Sequence, residues 1–384
     1  MNNVLSIFNE NSCCGCGVCK LICPTKAIEM ADNEKGFLHP IIDNNKCINC
    51  GLCANNCSFN NFKKTNKKPK SYLFQLLDET EREMSQSGGA FYALANSIVE
   101  NGGFVFGCEL DDSLTAVHNC YSKIEDIKKF RGSKYVQSNL KDSYLKCESL
   151  LLKGKLVLFS GTPCQTHSLL AYLSYKKTNI DNLVTCDIVC HGCPSPEVFE
   201  SYKKYLSNNK KQNLKDFVFR DKKIGGWHSH KEKAIFEDGS EYVGNDYAKL
   251  FYKHLLFDEK CFACPYTTIE RGTDLTICDA WRTDRTTKDE FDDNKGSSII
   301  MAHTEKGIRL LKSILECNIY SEIDISEYIQ PQMISPVEKS KYYDSFWNTY
   351  SRNHFRAIKK FSSDNSLKHK IKALIKKTMR KVKK

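Results

Sequence analysis

The 384-residue sequence lacks any run of the roughly 18 apolar residues that a membrane-spanning helix needs, so no bilayer span is expected. Its start, Met1 to Asn11, holds no basic stretch leading into an apolar one, so no secretory leader is expected either. Net charge is almost absent from the body of the chain. The formal +11 resides in residues 352–384, which carry 13 Lys+Arg against one Asp, while the other 351 residues carry 44 basic and 45 acidic groups. A neutral body offers no extended positive field, which argues against a nucleic-acid partner. Internal repetition is missing too, apart from one doubled motif near the N-terminus. Apolar residues make up 41%, enough for a sizeable core, and the length suggests two or three domains.

Cysteine, by contrast, is abundant: there are 20. Without export, disulfides are not the expected use, and a reducing cytoplasm follows, with an oxygen-poor host as the natural setting. The doubled motif reads Cys13-x-x-Cys16-x-x-Cys19-x-x-x-Cys23-Pro24, then Cys47-x-x-Cys50-x-x-Cys53-x-x-x-Cys57. This is the bacterial ferredoxin spacing for two 4Fe-4S clusters. Three thiolates two residues apart can wrap three corners of one cube, and the fourth, carried past the loop, serves the other. Cluster one would take Cys13, Cys16, Cys19 and Cys57; cluster two would take Cys47, Cys50, Cys53 and Cys23. Zinc needs no such pair of identical runs with crossed fourth ligands. Two details depart from the pattern: Ser58 stands where a second proline is usual, and Cys14 is a spare thiol beside Cys13.

Along the chain, residues 1–59 form this ferredoxin-type module, and 60–70, polar and lysine-rich, read as a linker. From 71 to 350 strand-like and helix-like runs alternate. Strands are expected at 72–77, 104–108, 156–159, 183–189, 217–220, 275–278 and 298–303; helices at 89–100, 143–152, 165–175, 197–206 and 305–315. The fold class expected is therefore an α+β ferredoxin-like cluster module followed by an α/β domain with a mixed, partly parallel sheet. Residues 351–384 read as a basic tail. From Ser366 on, Leu367, Ile371, Leu374, Ile375, Met379 and Val382 share one helical face opposite lysines. That pattern suits peripheral contact with the inner face of the membrane, or a terminal helix that is solvated or packed on a partner.

Within the α/β region, Ser87-Gly88-Gly89 before a helix makes an anion-binding corner suited to a flavin pyrophosphate, with plain helix capping as the alternative. Phe159-Ser160-Gly161-Thr162-Pro163-Cys164 places Cys164 at a helix start, where a thiolate is favoured. Cys190-His191-Gly192-Cys193 again follows an apolar strand. If those strands are parallel neighbours, both thiols emerge at carboxyl ends, where α/β sheets bind ligands. With Cys261-x-x-Cys264, they form a set (Cys164, Cys190, Cys261, Cys264, with Cys193 in reserve) fit for a third 4Fe-4S cluster, for zinc, or for a redox-active disulfide. The other thiols, Cys108, Cys120, Cys147, Cys186, Cys278 and Cys317, read as buried packing groups. Arg131 to Ser138 offers Lys134, Tyr135, Gln137 and Ser138, with Lys134 placed to stabilise a reduced flavin. His191 is a candidate proton donor, and Asp279, before Trp281, a candidate substrate contact, each with packing as the alternative.

This ordered set resembles the coenzyme F420 hydrogenase/dehydrogenase beta-subunit family over about residues 10–300. The resemblance implies FAD, bound by Ser87, Gly88, Gly89, Lys134, Tyr135, Gln137, Ser138 and Thr162, beside the clusters. It also implies an oxidoreductase that takes electrons from ferredoxin or another carrier, or from a partner subunit. These would pass to or from a two-electron carrier such as coenzyme F420, or to an organic substrate of surface-polysaccharide type. Cys193 stands where a hydrophobic residue is common in the family, and Ala280 where an aromatic is usual. The competing expectation is a non-catalytic iron–sulfur adaptor or sensor that docks on an enzyme.

Overall fold

A computed structural model describes residues 12–281, 283 and 289–363. Each cysteine run of the N-terminal module contains a short helix, Val18–Ile22 in the first and Leu52–Asn55 in the second. Between them, β1 (Ile28–Asp32) and β2 (Leu38–Ile42) pair antiparallel. The module has little core of its own and instead lays its first helix on the rest of the protein. Val18 and Ile22, each 3% exposed, join the buried cluster of Tyr144, Leu169 and Leu173. Burying two such aliphatic side chains contributes ~3–6 kcal/mol of docking free energy before ordering costs.

Eight strands make the main sheet. They are β3 (Lys70–Gln75), β4 (Phe104–Leu110), β5 (Ala116–Tyr121), β6 (Val157–Gly161), β7 (Leu183–Ile188), β11 (Leu275–Asp279), β12 (Ser298–Ala302) and β13 (Ile319–Ile323), in the order β13-β3-β12-β11-β7-β6-β4-β5. The centre, β4-β6-β7-β11, is parallel, and the flanking pairs are antiparallel. The sheet is thus mixed and partly parallel. Alternation assigns side chains to the two faces with a period of two. Val105, Leu158, Val184 and Ile300 pack under the helices Ala90–Glu100 and Glu305–Leu315, while Phe106, Phe159 and Leu183 face the helices Ser143–Leu152 and Pro163–Lys176.

A second, smaller sheet, β10 (Glu241–Gly244), β9 (Glu232–Phe236) and β8 (Leu214–Val218), is antiparallel. It shares an aromatic core with the helices Pro196–Lys210, Asp246–Tyr252, Tyr343–Tyr350 and His354–Ser362. Of this unit, the sequence pattern anticipates the helix at 197–206 and, in the sheet, only the run 217–220. Its strands are short, and β9 buries Glu232, which reads as a polar interruption until its partners are seen: Tyr202 Oη and the N–H groups of Asp246, Tyr247 and Ala248 all donate to it. Ala357, Ile358 and Phe361 are buried in the same core, so the start of the basic C-terminal stretch is part of the body. The amphipathic pattern from Ser366 on lies outside the described residues. Among the described residues no helix is long and apolar enough to cross a membrane.

Candidate functional site

Cys23, Cys47, Cys50 and Cys53 line one small cavity, together with Pro24, Ile28 and Gly51. Cys23 belongs to the first run and the other three to the second, which is the crossing that the spacing anticipates. Toward the other end, Cys57 approaches Cys16 and lies in a buried cluster with it, while Cys13, Cys16 and Cys19 interact with one another. The two thiol groups differ in exposure. Cys50 and Ile48 are exposed, whereas Cys16 and Cys57 face the α/β domain. Among the described residues, no three Cys, His, Asp or Glu converge closely enough to hold a single metal ion.

A third thiol group lies where the module meets the sheet. β6 and β7 are parallel neighbours. Cys164, in the first turn of the helix Pro163–Lys176, and Cys190, just after β7, therefore emerge at adjacent carboxyl ends. The 3-10 turn Glu259–Ala263 brings Cys261 and Cys264 to them, and the Cys193 N–H donates to Cys261 Sγ at 3.3 Å. A cation is buried in this group. Lys260 Nζ lies 2.6 Å from Asp258 Oδ2, both side chains 3% exposed. Burial opposes the ammonium charge, but Asp258, Cys261 and Cys193 outweigh it and hold Lys260 protonated well above its ordinary range. Neither Lys260 nor Asp258 carries a signal in the sequence, because a lysine in a loop reads as solvated. Beneath Cys190, Arg271 Nη1 reaches Asp187 Oδ1 at 2.9 Å, and Thr273 and Thr276 donate to the same carboxylate.

Against this thiol group opens a cavity of about 700 Å³, within the size range of cofactor sites. Of the residues expected at a flavin, Ser87, Gly89, Lys134, Tyr135, Ser138 and Thr162 line it, as do Cys190, His191, Asp279 and Trp281. Two do not. Gly88 stands behind the corner, where an added Cβ would lie 2.2 Å from Phe74 O; only glycine lets the loop approach the sheet that closely. Gln137 is turned away. Its N–H donates to Pro194 O, and its side chain reaches Cys14 O at 3.5 Å, because the buried Val136 beside it anchors this segment in the core. Lys222, which the sequence did not reveal, pins the corner by donating from Nζ to Arg82 O, Ser87 O and Lys295 O.

The cavity's chemistry fits a flavin dinucleotide. Among the described residues no side chain caps the helix Ala90–Glu100, so its first N–H groups remain available to an anion. Gln86 Nε2 is buried there without a partner among the described residues. Lys134 donates to Lys129 O and Arg131 O, and burial lowers it to about 8. His118, behind Ser138, donates from Nε2 to Ser160 O at 3.0 Å and accepts at Nδ1 from Ser138 at 2.9 Å; burial lowers it to about 4.

The far wall is aromatic. Trp281 stacks on Trp227 at 4.6 Å and 6°. Asp279 accepts from Trp227 Nε1 at 3.1 Å and from Arg220 Nη1 at 3.0 Å. The carboxylate thus holds the wall in place through two bonds. His191 Nε2 meets His254 Nε2 at 3.1 Å, and burial, then His254, lowers it to about 4, which keeps it neutral near pH 7. Ala280, unusual for the family, is fully buried and does not line the cavity. Three of the thiols read as buried packing groups are not so. Cys317 is exposed, because the helix Glu305–Leu315 ends before it, and Cys108 and Cys278 are half-buried on the cavity wall.

Comparison with known proteins matches residues 12–61 to a 4Fe-4S dicluster domain. Residues 154–327 match the C terminus of the coenzyme F420 hydrogenase/dehydrogenase beta subunit. A chain of the F420-reducing [NiFe] hydrogenase complex from Methanosarcina barkeri superposes with a TM-score of 0.47 at 18% identity, over 77% of this chain and 91% of that one. No curated protein matches. The chain therefore joins a segment that matches a 4Fe-4S dicluster domain to one that matches the C terminus of the coenzyme F420 hydrogenase/dehydrogenase beta subunit.

Proposed function

We propose that the protein is an FAD- and 4Fe-4S-dependent oxidoreductase with three thiolate-held clusters in line. The observation that carries this reading is the position of the third thiol group. It lies between the dicluster module and the large cavity, and Cys190 belongs to both the group and the cavity wall. The inner set would be Cys13, Cys16, Cys19 and Cys57; the outer set, Cys23, Cys47, Cys50 and Cys53; the junction set, Cys164, Cys190, Cys261 and Cys264, with Cys193 in contact.

When bound, the clusters carry single electrons and the flavin stores pairs, so the chain joins one-electron to two-electron chemistry. The protein's own groups would do the rest. Exposed Cys50 leaves the outer set open to an external one-electron carrier or partner subunit, while the half-buried junction set lies against the cavity. Ser87, Gly89 and the first turn of the helix Ala90–Glu100 would hold the pyrophosphate. Tyr135, Ser138 and Thr162 would orient the flavin, and the Lys134 ammonium would favour negative charge on its ring. Trp281, fixed from behind by Trp227 and Asp279, would form the face against which a planar two-electron partner, F420-like or another organic substrate, docks.

The test is to mix the anaerobic protein with reduced ferredoxin, and separately with reduced F420, and to follow flavin absorbance. Bleaching by either supports the reading. Intact clusters with no flavin would instead make the chain an electron-transfer adaptor.

A further inference from the structure

The two departures from the ferredoxin pattern meet at one place. Ser58 Oγ lies 2.8 Å from Ser168 Oγ, on the helix Pro163–Lys176, and Tyr266 Oη donates to Ser58 at 3.3 Å. Cys14 is 7% exposed, and its sulfur lies 3.9 Å from the same Ser168 Oγ. Cys14 also packs in one buried cluster with Cys16 of the inner set and Cys164 of the junction set. Phe59 and Tyr266 close over it, their ring centroids 5.9 Å apart, within a buried cluster that includes Cys57 and Cys264. A proline at 58 would have no hydroxyl to offer Ser168, and a ferredoxin standing alone would have no use for a buried thiol at 14.

We infer that Cys14 is the positioning residue of an electron bridge between the inner and junction clusters: its S–H donates a hydrogen bond toward Cys164, and Ser58, Ser168 and Tyr266 hold it in place. The inference rests on the three-cluster reading above. In the step it serves, one electron leaves the iron of the inner cluster and arrives on the iron of the junction cluster. No bond forms or breaks and no proton is transferred. Cys14 is not a ligand in this assignment. It has one proton to give and two sulfur neighbours to receive it. A donor to a cluster sulfur stabilises the more negative, reduced state, and so raises the potential.

The full-length protein, isolated without oxygen, tests this as wild type, Cys14→Ala and Cys14→Ser, with Cys147→Ala as a control at a buried thiol outside the proposed ligand sets. Iron content and EPR-monitored redox titration are the readouts. Cys14→Ala is expected to keep all its iron, yet lower the reduction equilibrium of the junction cluster about tenfold, ~59 mV for one electron. It should also slow transfer between the two clusters. Cys14→Ser, which keeps a donor, should recover part of the shift, and Cys147→Ala should show none.

If Cys14→Ala loses about four irons, Cys14 is a ligand and the inference fails. It fails equally if iron, potential and rate are all unchanged. A wild-type chain with only about eight irons would instead overturn the three-cluster reading itself, and the bridge with it.

Discussion

Replacing Lys260 with methionine removes a cation buried among the junction thiols. Its ammonium lies 2.6 Å from Asp258, and neither side chain is more than 3% exposed. Methionine fills the aliphatic volume but leaves the Asp258 carboxylate in a dry site beside several thiolates. Breaking a buried pair from one side costs about 3–5 kcal/mol, because the remaining charge stays desolvated. Replacing both partners by apolar groups removes that penalty, so Lys260→Met/Asp258→Leu should recover about 2–3 kcal/mol of the loss. The assay is urea denaturation of anaerobic samples matched for iron content, read as a shift in midpoint. Iron loading should also fall in the single variant, since the thiolates lose their counter-ion. A Lys260→Met protein with wild-type midpoint and iron content would refute the claim that this ammonium neutralises the thiol group. A double variant no more stable than the single one would refute the pairing.

Three further outcomes are expected. His118 is buried and lowered to about 4 from an ordinary value of 6.5. As pH falls through 6.5 toward 4, the unfolded chain takes up a proton that the folded one refuses, so stability is lost over that window, by about 3 kcal/mol from this group. His118→Phe should flatten the acid limb of stability against pH by about one proton, and an unchanged slope would contradict the assignment. Gly88→Ala, whose Cβ would strike Phe74 O, should weaken flavin retention at least about tenfold with iron content intact; equal loss of both would mean general misfolding. Cys23→Ala should remove the iron of the outer set while sparing the inner, because Cys23 shares a cavity with Cys47, Cys50 and Cys53. Loss from the inner set in EPR spectra would reject the crossed assignment.

Much of the architecture was legible because it rests on periodicity. The apolar runs before Cys164 and Cys190 are β6 and β7, and their parallel pairing follows from the helix that joins them. Local composition could not show what each polar group meets after folding. Gln137 lies one residue from Ser138, yet the chain between β5 and the helix Ser143–Leu152 turns it toward Cys14 rather than into the cavity. Lys260 and Lys222 resemble any surface lysine in sequence; only tertiary structure supplies Asp258 to one and three carbonyls to the other. β9 was missed for the same reason, since Glu232 is tolerable in a core only where Tyr202 and three backbone N–H groups converge on it. Ser58 and Cys14 were visible as departures, but what they pack against, Ser168 and Cys164, lies more than a hundred residues away.

Counting iron, acid-labile sulfide and flavin in protein purified without oxygen tests the central claim most directly. About twelve irons with as many sulfides, and about one FAD per chain, are the values predicted by three thiol sets in line with the cavity. A well-folded protein holding stoichiometric zinc, no labile sulfide and no flavin would contradict it.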